Sequence, residues 1–270
     1  MADFSVLMPV YAGDRAAYVA AALDSVTVSQ TRPPSEVVVV ADGPVGDDIE
    51  DVLARYPDIH LVRLPENRGL TEALNAGLAA CRYDIVARQD ADDVSQPDRF
   101  ALQVPLVESG LDLVGSDIVE FGEDGPGDRR EMPVDASAIE AALPLRDPFA
   151  HPSVVYRKGA VAAVGGYEEL AGMEDYWLFA RMVAAGARCV NVPAPLVNYR
   201  VDAGAYSRRG GWRLLLTEYR MQQRLYWLGV TGVAGFLRNL AIRGPYRLIP
   251  TSVRRVIYRV VGLKGLFSRS

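Results

Sequence analysis

"EVVVVADG" (Glu36–Gly43) holds four successive valines and ends in a short polar turn. A continuous β-branched run of this kind is typical of a strand buried on both faces, as strands are in a parallel sheet covered by helices. Three other apolar runs have the same character, namely "FSVLMPVY" (Phe4–Tyr11), "IHLVRL" (Ile59–Leu64) and "DIVAR" (Asp84–Arg88). The stretch therefore predicts one of four strands in a largely buried sheet.

Helical patterns fall between these strands. The clearest is Leu70–Cys81, where apolar residues recur at spacings of three and four. Alternation of strands and helices predicts an α/β fold with a mostly parallel, Rossmann-like sheet flanked by helices. "LDLVGS" and "PSVVYR" are candidates to extend the sheet, and "GEDGPGD" (Gly122–Asp128), rich in glycine and acids, is predicted to be a loop.

Charge divides the chain into two parts. Residues 205–270 hold 13 of the 29 lysines and arginines but only one of the 34 acids, Glu218, so this segment carries +12 and residues 1–204 carry −17. We therefore expect a catalytic α/β domain over 1–204 and a basic extension over 205–270. "RRGGWRLLLTEYRMQQRLYWLG" and "SVRRVIYRVV" predict two amphipathic helices in the extension.

Composition also limits the cellular location. The longest apolar run near the end, "WLGVTGVAGFL", has 11 residues, whereas a membrane-spanning helix needs about 20. No signal peptide is recognisable, and the two cysteines, Cys81 and Cys189, lack metal-type spacing. These features favour a reduced, cytoplasmic protein.

Four polar features directly follow the four predicted strands. Tyr11 follows the first strand, Asp42 the second, Arg68 the third and an aspartate cluster the fourth. Ligands of α/β sheets bind beyond the carboxyl ends of the strands, so we expect these side chains to converge. Neither G-x-G-x-x-G after the first strand nor a P-loop motif occurs, which disfavours dinucleotide and P-loop sites.

The cluster lies in "RQDADDVSQPDR". Asp90 and Asp92 are two residues apart and point the same way in an extended segment, and Asp93 adds a third carboxylate. Such a group can bind Mg²⁺ or Mn²⁺ and bridge it to a diphosphate. The alternative is an acidic turn in which Asp93 or Ser95 caps the next helix. An EF-hand is excluded because its glycine and glutamate positions are occupied by serine and alanine.

"GMEDYWLFARM" holds a second acidic pair, Glu174 and Asp175, at the predicted start of a helix. Acids in this position stabilise the helix dipole, which is one explanation of the pair. The other is a general base that accepts a proton from a sugar hydroxyl. His151, just before a predicted strand, is a candidate functional residue or an ordinary structural histidine.

An ordered series of motifs links these segments: "SVLMPVYAGD", "VVVVADGP", "PENRGLTEALNAGLAAC", "RQDADDVSQPDRF", "HPSVVYRK", "GGYEE", "MEDYWLFARM" and "LVNYRV". Over about residues 3–202 the chain resembles family 2 glycosyltransferases of the GT-A fold. The basic extension resembles that of members that build exopolysaccharide, O-antigen or surface glycans. The resemblance implies inverting transfer from a nucleotide-diphosphate sugar, usually UDP-linked, with Mn²⁺ or Mg²⁺ as cofactor.

The resemblance also implies roles for individual residues. On the nucleotide side, Asp42 would bind the base, with Pro9, Tyr11, Arg68, Asp90 and Ala91 nearby. Asp90, Asp92 and Asp93 would hold the metal, and Asp175 would be the catalytic base beside Glu174. His151, Arg157 and Arg200 would serve the acceptor or the phosphates.

Two motifs depart from the family pattern. The usual DDGS is "ADGP" here, so Ala41 replaces one acid while Asp42 is retained. The usual Tyr-Arg-x-His is Tyr199-Arg200-Val201-Asp202, so the histidine that would contact the metal or phosphate from that position is absent.

The acceptor and the extension leave alternatives open. We expect a saccharide acceptor, with a polyprenyl-diphosphate-linked one as a candidate, and no nucleic acid partner. Residues 205–270 either bind an anionic membrane surface peripherally or form a helical subdomain packed on the catalytic domain. The rival functions are a sugar-1-phosphate nucleotidyltransferase and a catalytically inactive sugar-nucleotide-binding protein.

Overall fold

The computed structural model of the chain describes residues 2–122, 125–201 and 212–248. The predicted helix "SVRRVIYRVV" and the predicted boundary at residues 204 and 205 lie outside these ranges. The division into two domains therefore stays a prediction.

The four predicted strands form one half of the sheet. They are β1 (Phe4–Val10), β2 (Glu36–Ala41), β3 (His60–Arg63) and β4 (Ile85–Arg88), and they lie parallel in the order β3-β2-β1-β4. The crossover helices are α1 (Ala16–Val26), α2 (Asp47–Leu53) and α3 (Leu70–Ala80). Because β2 lies on one side of β1 and β4 on the other, the strand order reverses at β1, which opens a crevice at the carboxyl ends.

The second half makes the sheet mixed. After β4 come β5 (Val94–Ser95), α4 (Arg99–Glu108), β6 (Leu113–Gly122), β7 (Gly125–Arg130), α5 (Ala136–Ala142), a 3₁₀ turn (His151–Ser153), β8 (Val155–Arg157), α6 (Lys158–Ala163), α7 (Glu174–Ala184) and β9 (Cys189–Arg200). The strand order is β3-β2-β1-β4-β8-β6-β9-β5, with β7 on β6. β8 is antiparallel to β4 and β6, whereas β6 and β9 are parallel.

The predicted loop Gly122–Asp128 is wrong for most of its length. β6 continues to Gly122, and β7 pairs with it antiparallel from Gly125 to Arg130. Gly125 has φ of 97°, a left-handed conformation that glycine adopts without strain. The glycines thus mark a hairpin between two strands, and pairing to β6 overrides the low strand propensity of this composition.

Both faces of the sheet are covered, as the valine runs predict. Val37 and Val39 pack in a core with α1, α2 and α4, while Val38 and Val40 pack on the opposite face with α3, α6 and α7. All four valines are buried. The alternation of side chains along β2 accounts for this, since successive residues point to opposite faces.

Two C-terminal helices, α8 (Trp212–Trp227) and α9 (Val233–Leu248), complete the described chain. Met221 and Leu225 of α8 join a core cluster with Tyr176 and Trp177 of α7. The described part of the basic extension therefore packs on the α/β domain. No helix in the described part of the chain combines the length and apolar character needed to cross a bilayer.

Candidate functional site

Two adjoining cavities lie at the carboxyl ends of β1, β2 and β4. The β1-side cavity, of about 580 Å³, is lined by Pro9–Tyr11, Asp42 and Ala91 among others. The α7-side cavity, of about 270 Å³, is lined by His151, Glu174 and Asp175 among others. Leu70, Asp90 and Asp92 line both cavities, so the aspartate cluster stands at their junction.

The first wall of the β1-side cavity is the turn after β1. Pro9 is buried, whereas the Tyr11 side chain is half exposed. The Tyr11 ring covers Gly13 so closely that a Cβ there would lie 2.4 Å from a ring atom. The Asp14 carboxylate accepts a hydrogen bond from the Tyr11 amide. This packing fixes a flat aromatic surface at the cavity mouth, which the sequence prediction named, and an acid, Asp14, which it did not.

Asp42 forms the second wall and is 5% exposed. Its carboxylate accepts hydrogen bonds from the amides of Arg68 and Gly69, at 2.7 and 2.9 Å. It thereby anchors the loop that begins α3. These bonds explain its burial without a ligand, and its predicted contact with a nucleotide base remains a prediction.

Arg68 lies beside this wall, but its side chain does not line either cavity. The guanidinium is 53% exposed and is 3.4 Å from the Glu66 carboxylate. Only its backbone amide takes part in the site, through Asp42. The structure therefore gives no support to a nucleotide contact by the Arg68 side chain.

The loop that carries the aspartates is held from below by buried polar groups. The side-chain amide nitrogen of Gln89 donates hydrogen bonds to the backbone carbonyl oxygens of Asp90 and Asp93. Its side-chain oxygen accepts hydrogen bonds from the side chains of Ser95 and Arg99. Both Gln89 and Arg99 are fully buried. The local sequence could not reveal this support, because Arg99 reaches Gln89 from the next helix.

The three carboxylates converge as predicted. Asp90, Asp92 and Asp93 each offer an oxygen within 4.8 Å of the others. Burial, followed by the charges of Asp90 and Asp14, raises the pKa of Asp92 to about 7. Burial also raises the pKa of Asp93 well above its usual range. Hard oxygen donors that repel one another at such short range fit a divalent cation such as Mg²⁺ or Mn²⁺.

The three aspartates differ in what else they bind. Asp90 forms an ion pair with the fully buried Arg88, a residue to which the sequence assigned no role. Asp93 is fully buried, accepts a 2.7 Å hydrogen bond from the Arg200 amide, and has no partner for its second oxygen. Asp92 is only half-buried and lines both cavities. It is therefore the carboxylate best placed for a ligand.

Arg200 closes the cluster from the end of β9. Its Nε donates to the Asp92 carbonyl oxygen at 2.8 Å. Its guanidinium stacks between two rings, 3.7 Å from the Tyr18 centroid and 4.3 Å from the Phe121 centroid. These contacts hold a fixed positive charge beside the aspartate loop, and the predicted role of Arg200 toward the phosphates stays a prediction. Asp202 lies outside the described residues.

The α7-side cavity holds the predicted acidic pair at the start of α7. Burial and the charge of Asp175 raise the pKa of Glu174 to about 7. His151 Nδ1 is 3.8 Å from an Asp175 oxygen, and His151 Nε2 is 2.9 Å from the Tyr167 hydroxyl. Burial, followed by the charge of Arg88, holds the pKa of His151 well below its usual range, so the ring is neutral. His151 is thus brought to Asp175 as a neutral neighbour.

A further acid of this cavity escaped the sequence prediction. Asp147 lines it, is 2% exposed, and accepts one hydrogen bond, from the Phe149 amide at 2.9 Å. Its second oxygen is buried without a partner. Burial, followed by the charge of Asp175, raises its pKa well above the usual range. No local pattern distinguishes this aspartate, because its neighbours in the cavity come from distant segments.

The structure gives no support to the predicted acceptor-side role of Arg157. β8 runs antiparallel to β4, and Arg157 pairs with Ile85 at the start of β4, whereas the aspartate loop follows its end. The Arg157 guanidinium binds Asp84 and the Val107 carbonyl oxygen instead. Adjacency in the motif "HPSVVYRK" is a poor guide here, since a strand carries its two ends to opposite edges of the sheet.

Comparison with known proteins agrees with this geometry. Residues 5–162 match the family model described as Glycosyl transferase family 2. An uncharacterized glycosyltransferase of Haemophilus influenzae is 40% identical over 95% of this chain and 97% of its own length. The UDP-Gal:alpha-D-GlcNAc-diphosphoundecaprenol beta-1,3-galactosyltransferase of Escherichia coli is 34% identical over 96% of both chains.

Solved structures show the same fold. Residues 1–349 of S. aureus TarS, in a crystal structure with UDP-GlcNAc, align with a TM-score of 0.69 at 17% identity, covering 98% of this chain and 82% of that one. At this identity the likeness concerns the fold, which is of the GT-A type. The family model covers more than half of the chain, and the two sequence relatives span nearly all of it. The chain therefore belongs to glycosyl transferase family 2.

Proposed function

We propose that this protein is a metal-dependent, inverting hexosyltransferase that moves a sugar from a UDP-sugar to a saccharide acceptor in surface-glycan assembly. The observation that carries the proposal is the aspartate cluster at the junction of two cavities, with Asp175 in the second. Family membership favours glycosyl transfer over nucleotidyl transfer. The presence of Asp42, the aspartate cluster and Asp175 in two adjoining cavities argues against an inactive sugar-nucleotide sensor.

The β1-side cavity suits the nucleotide. Tyr11 and Pro9 offer a flat apolar surface for a base or ribose, and Asp42 retains lone pairs that can accept from a base N–H. UDP is the donor nucleotide suggested by the E. coli relative and the TarS complex. The diphosphate would then extend toward Asp90 and Asp92, which leaves the sugar at the entrance of the α7-side cavity.

Asp92 and Asp90 would hold the cation, with the buried Asp93 behind them. A bound Mg²⁺ or Mn²⁺ supplies Lewis-acid stabilisation of the charge that develops on the departing diphosphate. Arg200, fixed between Tyr18 and Phe121, adds a positive charge on the same side of the loop.

Asp175 would act as the general base. It accepts the proton of the acceptor hydroxyl as that oxygen forms a bond to the anomeric carbon, and the bond from that carbon to the diphosphate oxygen breaks with its electron pair. Attack from the face opposite the diphosphate inverts the configuration. Neutral His151 borders the base without donating a competing positive charge.

Asp147 would bind the acceptor. Its buried, unpartnered oxygen borders the cavity beside the acidic pair, where a sugar hydroxyl could supply the missing hydrogen bond. The name of the E. coli relative suggests an acceptor linked through a diphosphate to a polyprenol. Such an acceptor would require the protein to work at a membrane surface.

The test is UDP release by the purified chain from a panel of UDP-sugars with Mg²⁺ or Mn²⁺. A soluble acceptor analogue, carrying one sugar diphosphate on a short alkyl chain, is added or omitted. We expect UDP release to need both the cation and the acceptor. The anomeric configuration of the product, determined by NMR, should be inverted relative to that of the donor. Release that is independent of the acceptor, or a retained configuration, would refute the proposal.

A further inference from the structure

The outer face of α8 is apolar and aromatic. Leu216, Tyr219, Tyr226 and Trp227 are spaced to fall on one side of the helix, and they are 44%, 42%, 37% and 79% exposed. The opposite side of α8 is buried and mixed, with Glu218 and Gln222 beside the apolar Met221 and Leu225. A surface helix of a protein in water ordinarily keeps its polar side chains, and not its large apolar ones, on the exposed side.

α9 likewise combines exposed apolar side chains with buried polar ones. Val233 and Leu237, one turn apart, are each 59% exposed, whereas Asn239 is fully buried and Arg243 is 5% exposed. Phe236 joins the two helices on the outside, with its ring 6.3 Å from Tyr219 and 6.0 Å from Tyr226. The antiparallel helices α8 and α9 are together called the α8–α9 hairpin. Of the twelve large apolar side chains exposed in the described part of the chain, seven lie on this hairpin.

The interior of the hairpin is a connected polar network. Glu218 and Arg243 form an ion pair with a separation of 2.6 Å, and Gln222 donates to Glu218 at 3.1 Å. Asn239 donates to Gln222 and to the Pro144 carbonyl oxygen, at 2.9 and 2.6 Å. Because these contacts link α8 to α9 and both to the segment before Asp147, the hairpin can be rigid while it turns its apolar side chains outward.

The network also ties the hairpin to the acceptor side of the site. Arg243 binds the Leu145 carbonyl oxygen, and Pro144 and Leu145 lie just before Asp147. The hairpin is therefore held in a fixed relation to the α7-side cavity. Any surface that the hairpin contacts is positioned relative to that cavity.

The charges identify the occupant of the outer face. The single acid of residues 205–270, Glu218, is buried, so the described outer surface of the hairpin carries no carboxylate. Arg220 and Arg238 are exposed on it. Aromatic and aliphatic side chains with arginines and without acids are the composition that binds the interface of an anionic bilayer.

We propose that the outer face of the α8–α9 hairpin lies in the interfacial layer of an anionic lipid bilayer and fixes the α7-side cavity next to the membrane. A helix lying in this layer buries its apolar side by about 5–10 Å, which exposed side chains such as Trp227 and Leu237 can reach. The choice of a bilayer over a second copy of the chain rests in part on the proposed function, because a lipid-linked acceptor lies in that bilayer.

The experiment is flotation of the full-length protein with vesicles of phosphatidylcholine alone or with one third phosphatidylglycerol. Wild type should float with the anionic vesicles. Trp227→Ser with Leu237→Ser should lower partition about tenfold or more. The matched control is Val28→Ser with Leu102→Ser, which changes two exposed apolar residues elsewhere and should bind as wild type does.

A second pair tests the charge. Arg220→Gln with Arg238→Gln should lower partition to anionic vesicles about tenfold and reduce its salt dependence. Arg55→Gln with Arg82→Gln, exposed arginines of the α/β domain, is its control. Wild-type partition by both hairpin variants would overturn the proposal.

Sedimentation tests a second copy of the chain as the occupant. The proposal would also be overturned if wild type is a dimer, if Trp227→Ser with Leu237→Ser (the serine pair) is a monomer, and if neither protein binds vesicles. Transfer to the soluble acceptor analogue should be unchanged in the serine pair. That assay reports the proposed function separately, so failure of one proposal is distinguishable from failure of the other.

Discussion

The two cavities of the site differ in how they are built. The β1-side cavity is formed largely by short turns that follow β1, β2 and β4, and the Tyr11 ring at its mouth is half exposed. The α7-side cavity is assembled from residues as distant in sequence as Leu70, Ile118 and Tyr199, and it holds several buried acids. The difference indicates that binding of the nucleotide and reaction at the acceptor depend on separate sets of residues, joined at Asp90 and Asp92.

The largest expected effect is a loss of turnover at Asp175 without a loss of nucleotide binding. Asp175→Asn should reduce turnover by about 10²–10⁴, because general-base assistance contributes that much, while UDP binding stays at the wild-type level. Turnover and UDP affinity are measured by UDP release and calorimetry. Arg157→Ala is the control, since that guanidinium lies at the far edge of the sheet, and it should transfer at the wild-type rate. Wild-type turnover by Asp175→Asn would exclude the base.

The next largest effect is expected at Asp92, where the two cavities meet. Asp92→Ala should weaken UDP binding in the presence of Mn²⁺ by about 10- to 100-fold, as loss of a metal-site partner typically does. Without the cation, wild type and variant should bind UDP equally. Calorimetry with and without Mn²⁺ measures both values. An identical affinity in the presence of Mn²⁺ would remove Asp92 from the metal site.

A smaller effect is expected at Asp147. Asp147→Leu should raise the acceptor KM about tenfold, the cost of one lost hydrogen bond to the acceptor, and leave UDP binding unchanged. Asp147→Asn keeps a polar group of the same size that can hydrogen-bond a sugar hydroxyl, so it should restore most of the affinity. Initial rates at varied acceptor concentration test both variants, and an unchanged KM in Asp147→Leu would contradict the assignment.

The smallest effect concerns stability. The pKa of Glu174 is raised from its usual 4.5 to about 7 by burial and by Asp175. The folded state therefore binds this proton more tightly than the unfolded state, and stability is lost as the pH rises from about 4.5 to about 7. Glu174→Gln removes that loss and should stabilise the protein by on the order of 2 kcal/mol at pH 8 and little at pH 5. Thermal unfolding of both proteins at the two pH values measures it, and an equal difference at both would contradict the raised pKa.

The sequence predicted the β1-side cavity better than the α7-side cavity. The four strands and the residues after them were predictable, because burial on both faces leaves a continuous valine signal and parallel strands end at one edge. Asp90, Asp92 and Asp93 were found in this way. For Arg68 the structure shows a backbone contact with Asp42 and no side chain lining the cavities, a distinction that sequence position cannot make.

Residues of the α7-side cavity were harder to predict. Asp147 carries no local signature, and the antiparallel direction of β8 places Arg157 at the edge of the sheet away from the aspartate loop. Neither placement could be inferred without the strand order, since the partners of both residues lie tens of positions away in the chain.

The sequence by itself determined the family, the parallel core, the acidic cluster and the separation of charge between residues 1–204 and 205–270. Only the tertiary structure decided that α8 and α9, the described part of the extension, pack on the α/β domain with Glu218, Gln222 and Asn239 buried. Glu218 and Trp227 illustrate the reason. Helical spacing reveals that they lie on different faces of α8, but which face is buried depends on Arg243, Asn239 and the Pro144 carbonyl oxygen, which only folding brings to Glu218 and its neighbours.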